Sequence, residues 1–542
     1  MTARPDLQGL AARPLVALEA RQLASWLRSE AGLSDTARLR IDSRQVCPGD
    51  VFIAAPGLSS DGRAYIGNAI AAGAKAILWD PSAEFLLPSE FLSGPAAVLQ
   101  RPLPNARALS GPIAAALMGL PAERMAVTAF TGTNGKTSCS VWLAQLLERD
   151  GTPCAVAGTL GMGRWGSLEP RTGGLTTPEA VDLQAALHDW AASGIGALSM
   201  EASSVGLVAG RLNGTRIRTA VFTNLTRDHL DYHGSFEAYA QAKQSLFAWS
   251  GLEHAVVNCD DPAADHMLGA AGAAVQRIGF RIIDRARGNL PSARVDAWLR
   301  ATRIEALESG ATRVDVDGDW GRGQFVVPVP GRFNVSNALA VAGAALANGL
   351  GFEQVLQGLG RLSPVPGRMQ TLTQRGAPLV VIDYAHTDDA LEQVLAALRP
   401  SARARGGRLW CLFGAGGDRD PGKRVFMGAA VARHADVIVV TSDNPRSEDP
   451  VAIANALLEG VARVRDAAAV QVQLDRAVAI RNAIFGAHAN DVIVVAGKGH
   501  ESVQEVAGVR HPFSDLDCAR AALTERQASP GAALSEGPTN AA

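Results

Sequence analysis

The chain has 542 residues, a length that corresponds to about three to four domains. With 47% hydrophobic and 19% charged residues, it has the composition of an ordinary globular protein able to bury several cores. A formal net charge of -2 excludes the basic footprint of a nucleic-acid binder or of a protein drawn to an anionic membrane. Any anionic ligand must therefore be held by local sites. Cys47, Cys139, Cys154, Cys259, Cys411 and Cys518 are scattered without a C-x-x-C pair, which favours reduced structural thiols over a disulfide frame or zinc site. No continuous apolar segment marks the N-terminus and no apolar run reaches bilayer length, so cytoplasm is the expected compartment.

In chain order, residues 1 to about 35 read as a lead-in with one helical pattern. Strand-like runs follow at Leu39–Ile41, Val51–Ala54, Ala76–Trp79 and Ala97–Leu99, with a helical run at Ala64–Ala72, and together they predict a small α/β domain. A break near Pro121 precedes an apolar strand ending at Phe130. Further strands are predicted at Ala197–Met200, Arg218–Phe222 and Ala255–Asn258, alternating with helical patterns as in a parallel sheet. An Ala-rich helix is expected at Asn334–Ala347. A second break, Ser363–Arg368, opens a unit with strands at Leu379–Ile382, Leu409–Phe413, Val437–Val440 and Val492–Val495. The small, polar residues 529–542 read as a tail. The expected fold is α/β with mostly parallel sheets. Its expected bounds are 1–122, 123–364 and 365–528, followed by the tail.

The strongest chemical signal is Thr131-Gly132-Thr133-Asn134-Gly135-Lys136-Thr137, set between a strand and an amphipathic helix that opens at Ser138. Such a Gly-rich loop aims backbone N–H groups at an anion on the helix N-terminus. Lys136 is placed to reach the outer phosphates of a nucleotide, and the Thr137 hydroxyl to reach Mg²⁺. The usual pattern has a glycine where Phe130 stands.

Glu201 ends the apolar strand at its carboxyl edge, where sheet ligands bind; the bland alternative is a surface glutamate. His229 follows the next strand by a loop. Phe236, Tyr239, Lys243 and Phe247 fall on one helical face. A lysine on an apolar stripe either snorkels to water or is desolvated with a lowered pKa, and a neutral amine can add CO₂ to become an anionic carbamate. In the last unit, four strands each run into a motif: Asp383-Tyr-Ala-His386, Gly416–Arg419, Asp443-Asn444-Pro445-Arg446 and Gly497–Glu501. Motifs at the carboxyl ends of parallel strands converge on one crevice. Arg419 and Arg446 suit carboxylates, while Asp443 and Glu501 suit ammonium groups, so the crevice fits a zwitterion.

Asp42-Ser43-Arg44, the Thr131–Thr137 loop, Thr176-Thr177-Pro178, Met200–Ser204, Thr223–His233, Gly331–Asn334 and the four C-terminal motifs stand in the order found in the Mur ligases, which this chain resembles from about residue 39 to 520. These are the ATP-dependent amino-acid ligases of peptidoglycan precursor synthesis, hence of cell-wall growth, shape and division. The resemblance implies an N-terminal UDP-sugar domain, a central ATPase and a C-terminal Rossmann-like domain that brings the amino acid. The implied activity is addition of meso-2,6-diaminopimelate to UDP-N-acetylmuramoyl-L-alanyl-D-glutamate through an acyl phosphate, giving ADP and phosphate.

The resemblance assigns ATP to Gly132, Thr133, Asn134, Gly135, Lys136, Thr137, Ser138, Asn334, Arg368, Asp383 and His386. Mg²⁺ goes to Thr137, Glu201, His229 and Lys243 as an N6-carboxylysine; Lys136, Glu201, His229 and Lys243 form the catalytic set. It assigns the UDP-linked dipeptide to Ser43, Arg63, Thr176, Thr177, Ser203 and Arg211, and diaminopimelate to Arg419, Asp443, Asn444, Arg446, Gly497 and Glu501. Three departures stand out. Val205 and Ala209 replace a histidine and a glutamine of the family pattern, and Asp388 stands where a proline often follows His-Thr. A monomer is expected, with no nucleic-acid or membrane partner.

Three other readings compete. A lysine-adding Mur ligase and a folylpolyglutamate-type ligase are disfavoured by the Asp-Ser-Arg loop and the Asn-Pro-Arg motif. A nucleotide-driven regulatory binding protein is disfavoured by the complete set Thr137, Glu201, His229 and Lys243.

Overall fold

The structure, a computed structural model, describes residues 14–528 except 58–59, 83–84, 86, 92–97, 170–174, 284–291, 293, 308 and 465–468. Packing divides the chain into two compact units. The first is built from the chain up to Arg300 with Gly318–Gly321 and Leu339–Val355. The second comprises Ala301–Asp317, Arg322–Ala338 and the chain from Leu356 onward.

The first unit opens with the helix Pro14–Glu30 and a parallel sheet of β1 (Leu39–Arg40), β2 (Val51–Ala54), β3 (Ala76–Trp79) and β4 (Leu99–Pro102). Every residue of β2 is buried, because both faces are covered. Val51 and Ile53 share a core with Leu23, Leu27 and Ile113, while Phe52 and Ala54 pack with Ile66 and Ala69. A sheet covered on two sides demands such continuous apolar runs.

Beyond the turn Pro121–Arg124 come β5 (Ala126–Thr131), β6 (Cys154–Gly158), β7 (Gly161–Arg164), β8 (Ala197–Glu201), β9 (Thr219–Phe222), β10 (His254–Asn258) and β11 (Gln276–Ile282). They pair in the order β7-β6-β8-β5-β9-β10-β11, all parallel apart from the β6–β7 hairpin. Register sets Phe130 beside Glu201 and Thr131 beside Phe222. The carboxyl ends of three central strands thus meet at the level where the Gly-rich loop leaves β5.

Several strands do not stand out in the sequence, among them β12 (Ala297–Ala306), β13 (Thr312–Gly318) and β14 (Gly321–Val327), neighbours in that order. Their outer faces carry Arg303, Glu305, Arg313, Asp315 and Gln324, which hides the alternating buried Thr312, Val314 and Val316. In the second unit β15 (Gln370–Leu372), β16 (Leu379–Asp383), β17 (Leu409–Phe413), β18 (Val437–Val440), β19 (Ala469–Val472) and β20 (Val492–Ala496) form a sheet ordered β15-β16-β20-β17-β18-β19. Only β15 is antiparallel. A hairpin, β21 (Val503–Val506) and β22 (Val509–Pro512), and the helix Asp515–Ala528 complete the unit.

The α/β class with mostly parallel sheets is as expected. Strands Val51–Ala54, Ala76–Trp79, Leu409–Phe413 and Val437–Val440 coincide with the predicted runs. The run predicted at Ala97–Leu99 begins outside the described residues and is observed as Leu99–Pro102. The helix predicted at Ala64–Ala72 opens as a 3₁₀ turn, Gly62–Tyr65, capped by the Asp61 side chain, before Ile66–Ala71. Residues 1–13 and the tail 529–542 lie outside the described residues. All six cysteines are free; burial pushes the Cys259 thiol up to about 12, which keeps it an unreactive core group.

Candidate active site

In the first unit the Gly-rich loop leaves β5 at Gly132, whose φ of 151° only glycine adopts readily. A Cβ there would lie 1.9 Å from Thr223 Oγ1. Asn224 clamps the loop from β9, accepting from Thr133 N through its carbonyl and from Asn134 N through Oδ1, both at 2.9 Å. Gly135, at φ 89°, turns the chain into the helix Lys136–Arg149. The first turn of that helix, with buried Thr137 and Ser138, aims its N–H groups out of the helix end.

Thr137 Oγ1 donates to Glu201 Oε2 at 3.0 Å, and the other Glu201 oxygen accepts from Thr159 N at 2.7 Å. Glu201 is buried, so the surface-glutamate alternative is excluded. Gly158 makes room for this carboxylate, since a Cβ there would sit 2.4 Å from Oε1. Lys136 Nζ folds back onto the Gly132 and Thr133 carbonyls, each at 2.9 Å. Lys243 Nζ reaches the same Gly132 carbonyl at 2.7 Å and lies 4.4 Å from the centre of the Tyr239 ring. Lys243 does not snorkel: it is 1% exposed. Burial, and then the neighbouring Lys136 charge, hold its amine well below the ordinary lysine value. Phe236, expected on the same buried face, is 40% exposed because the helix begins at that residue.

Tyr239, whose role the sequence did not disclose, pins the loop by its hydroxyl, 2.9 Å from Thr133 Oγ1. His229, at φ 51°, is half-exposed beside Asp228, with Nε2 3.5 Å from Oδ2. Around the dipeptide-assigned residues, Thr177 Oγ1 donates to the Glu201 carbonyl and sits 2.9 Å from Ser203 Oγ. Thr176 Oγ1 accepts from Thr159 at 3.4 Å. Buried Arg211 pairs with Glu179 at 3.0 Å, and Arg107 meets the same carboxylate at 3.3 Å. Val205 lies in the short helix Ser204–Val208, and His233 Nε2 approaches Ser204 Oγ at 3.0 Å. Ser43 opens a 3₁₀ turn capped by Asp42. Arg63 is turned inward: it pairs with Asp61, donates to the Asp80 and Ser82 carbonyls, and lies over the Phe85 ring.

In the second unit the four motifs meet at the carboxyl ends of β16, β17, β18 and β20. Asp383 stands opposite Ala496 and accepts from Met369 N at 2.7 Å and Ala385 N at 2.8 Å. Burial pushes its carboxyl up, against the opposing charge of Arg368. Arg368 lies 4.6 Å above the Tyr384 ring, and His386 Nδ1 is 2.7 Å from the Tyr384 carbonyl. Asn334 is buried and donates to the Pro330 carbonyl at 2.8 Å.

Gly497, at φ 116°, faces Asp443: a Cβ there would lie 2.4 Å from Oδ2. Arg446, at φ 52°, donates from Nη1 to the Gly417 carbonyl at 2.5 Å, so the β18 loop lies on the β17 loop. Arg419 is exposed beside it. Asn444 donates to Glu501 Oε2 at 2.8 Å. Under these loops Arg476 and Asp515, both fully buried, pair at 2.7 and 2.8 Å, and Arg476 also donates to the Ser442 and Ala496 carbonyls. Neither residue belongs to a motif, so only the fold reveals this support.

A P-loop ATPase core and a crevice of mixed charge on a parallel sheet define a nucleotide-dependent ligase class. Three family models match: Mur ligase family, catalytic domain (residues 36–106), Mur ligase middle domain (130–345), and Mur ligase, glutamate ligase domain (367–499). The chain belongs to the Mur ligase family. It is 45% identical to a UDP-N-acetylmuramoyl-L-alanyl-D-glutamate--2,6-diaminopimelate ligase of Ralstonia nicotianae, over 97% of this chain and 99% of the relative. A protein of the same description from an Acidovorax species is also 45% identical, over 93% and 97% of the two chains. A solved structure so described superposes with a TM-score of 0.65 at 35% identity, covering 90% of this chain and 95% of that one.

Proposed function

We propose that the protein uses ATP to join meso-2,6-diaminopimelate to UDP-N-acetylmuramoyl-L-alanyl-D-glutamate in peptidoglycan precursor synthesis. The carrying observation is the second-unit crevice, which gathers Arg446, Asp443, Asn444 and Glu501 on a scaffold whose relatives bear that name. In this reading a substrate carboxylate oxygen attacks the γ-phosphorus of ATP and ADP departs. The diaminopimelate amine then attacks the acyl carbon, and phosphate departs as the amide forms. Charge gathers on the transferring phosphoryl group, so cationic stabilisation dominates the demand. Lys136 swings from the Gly132 and Thr133 carbonyls to that group, while Asn224 and Tyr239 hold the loop in place.

The residues fit Mg²⁺. Thr137 Oγ1 and buried Glu201 supply paired hard oxygens, as this cation prefers. Among the described residues no cluster of three or more His, Cys, Asp or Glu offers a denser cage. His229 and the carbamate of Lys243 complete the proposed ligand set. Mg²⁺ would supply Lewis-acid neutralisation of phosphate charge. Lys243 itself is prepared for modification: its depressed basicity leaves a free amine to bond CO₂ carbon, releasing one proton and creating an anionic oxygen ligand. Asn334, Arg368, Asp383 and His386 take the remaining nucleotide contacts. Ser43, Arg63, Thr176, Thr177, Ser203 and Arg211 take the UDP-linked dipeptide, with the inward Arg63 acting through the loop it holds.

Domain bounds at 122/123 and 364/365, a monomeric state and a cytoplasmic setting belong to the same proposal. Among the described residues no helix is long and apolar enough to cross a membrane. A coupled phosphate-release assay tests the function. ADP and phosphate are expected only when ATP, Mg²⁺, the UDP-linked dipeptide and diaminopimelate are all present, with lysine a poor replacement. Equal turnover without the dipeptide would establish a regulatory ATPase instead.

A further inference from the structure

Lys498 sits in the turn after β20, between two glycines, with its side chain fully buried. Its ammonium donates to Asn444 Oδ1 at 2.9 Å and to Glu501 Oε2 at 2.8 Å. Asn444 returns a bond to the same Glu501 oxygen from Nδ2, and its own Oδ1 also accepts from Glu505 N at 3.0 Å. An ammonium and a backbone N–H can only donate, so together they fix which end of the Asn444 amide faces which neighbour. Among the described residues, the two side-chain donors to the Glu501 carboxylate, Lys498 and Asn444, both fall on Oε2. Oε1 is therefore left to a donor outside the network.

The same network reaches Arg446. Its backbone N–H donates to the Glu505 carbonyl at 3.0 Å, and its own carbonyl accepts from Ala507 N at 2.6 Å. Those two bonds to the β21–β22 hairpin hold Arg446 in its left-handed conformation. A buried cation thus connects, through one amide and one hairpin, the acidic and basic groups of the crevice.

We infer that Lys498 is a positioning residue for amino-acid selection. It holds Glu501 so that Oε1 meets a substrate ammonium at a set span from Arg446, which meets a carboxylate. The crevice then selects an amino acid carrying a second ammonium–carboxylate pair and rejects one that ends in an ammonium alone. This inference rests on the diaminopimelate reading of the same crevice.

The test compares wild type, Lys498→Met, Lys498→Gln and Lys498→Met/Glu501→Gln in steady-state assays, with melting curves for each. Lys498→Met is expected to raise the diaminopimelate KM about tenfold or more, while the KM values for ATP and the UDP-linked dipeptide stay within about twofold. Its preference for diaminopimelate over lysine falls in step. Lys498→Gln, which keeps N–H donors, recovers part of the loss. The double variant is no worse than the poorer single one, because both changes act through one carboxylate. An unchanged diaminopimelate KM in a folded Lys498→Met protein, or an equal rise in all three KM values, overturns the inference. If Lys498→Met does not fold, Lys498→Gln decides by the same criteria. A wild type that does not consume diaminopimelate defeats the functional reading itself, and that outcome is visible before any variant is assayed.

Discussion

The two halves of the chemistry handle charge in opposite ways. Around the Gly-rich loop, two lysine side chains, Lys136 and the weakly basic Lys243, converge on one neutral carbonyl, that of Gly132. Beneath the second-unit crevice, buried charges are matched: Arg476 with Asp515, Lys498 with Glu501, Arg424 with Glu448. The first arrangement gathers two lysine nitrogens on one loop and is suited to receive a polyanion. The second holds its loops still before any ligand arrives. Substitutions should therefore separate the regions: loss of a lysine at the loop ends activity and leaves the fold standing, whereas loss of one partner under the crevice loosens the fold.

The largest effect is expected at Arg476. Its removal leaves the Asp515 carboxylate buried and unpaired, and frees the ends of β18 and β20. Arg476→Met should cost about 3–5 kcal/mol of stability, read from the denaturant midpoint. Arg476→Met/Asp515→Leu should recover most of it, because no lone charge stays in the core. A double variant as unstable as the single one would place the cost in packing rather than charge.

Lys243 sharpens the contrast. Lys243→Met should lower the ligation rate about 10²–10³-fold, the scale on which transition-state charge stabilisation is lost. Without nucleotide, the same variant should melt higher than wild type, since a desolvated polar amine gives way to an apolar chain of similar length. Lower activity together with a lower melting temperature would show that the lysine supports the fold.

How much of this was legible in the sequence follows from distance along the chain. Lys243 declared itself through local periodicity, since Tyr239 and Phe247 lie one turn to either side. Glu201 could be placed at a strand end because β8 reads as an apolar run. The partner of a charge, by contrast, is set by the tertiary fold. Arg211 meets Glu179 and Asn444 meets Glu501 across connections that no periodicity spans. Lys498 stood inside a recognised motif, yet only its burial marks it as support for its neighbours. The β12–β14 strands are hard to read because charged residues cover one face, and the inward turn of Arg63 onto Asp61 and Phe85 is likewise set by the tertiary fold.

The smallest expected effect concerns His500, beside the second-unit crevice. Burial first, and then the charge of Arg368, lower its imidazole from 6.5 to about 4. Its Nδ1 is buried with no hydrogen-bond partner among the described residues, and the ring packs at 5.4 Å from that of Tyr384. Between pH 6.5 and about 4 the unfolded chain takes up a proton at this residue that the folded chain refuses. By linkage, this contribution to stability is complete above pH 6.5 and is lost as pH falls toward 4. His500→Phe keeps the ring and removes the titration. The stability lost by wild type between pH 7 and pH 5 should therefore exceed that lost by the variant by about 1–2 kcal/mol. Neighbouring carboxylates titrate in both proteins and cancel in the comparison. Equal acid sensitivity would mean that His500 is protonated in place, and that the crevice shelters this cation as well as those it pairs.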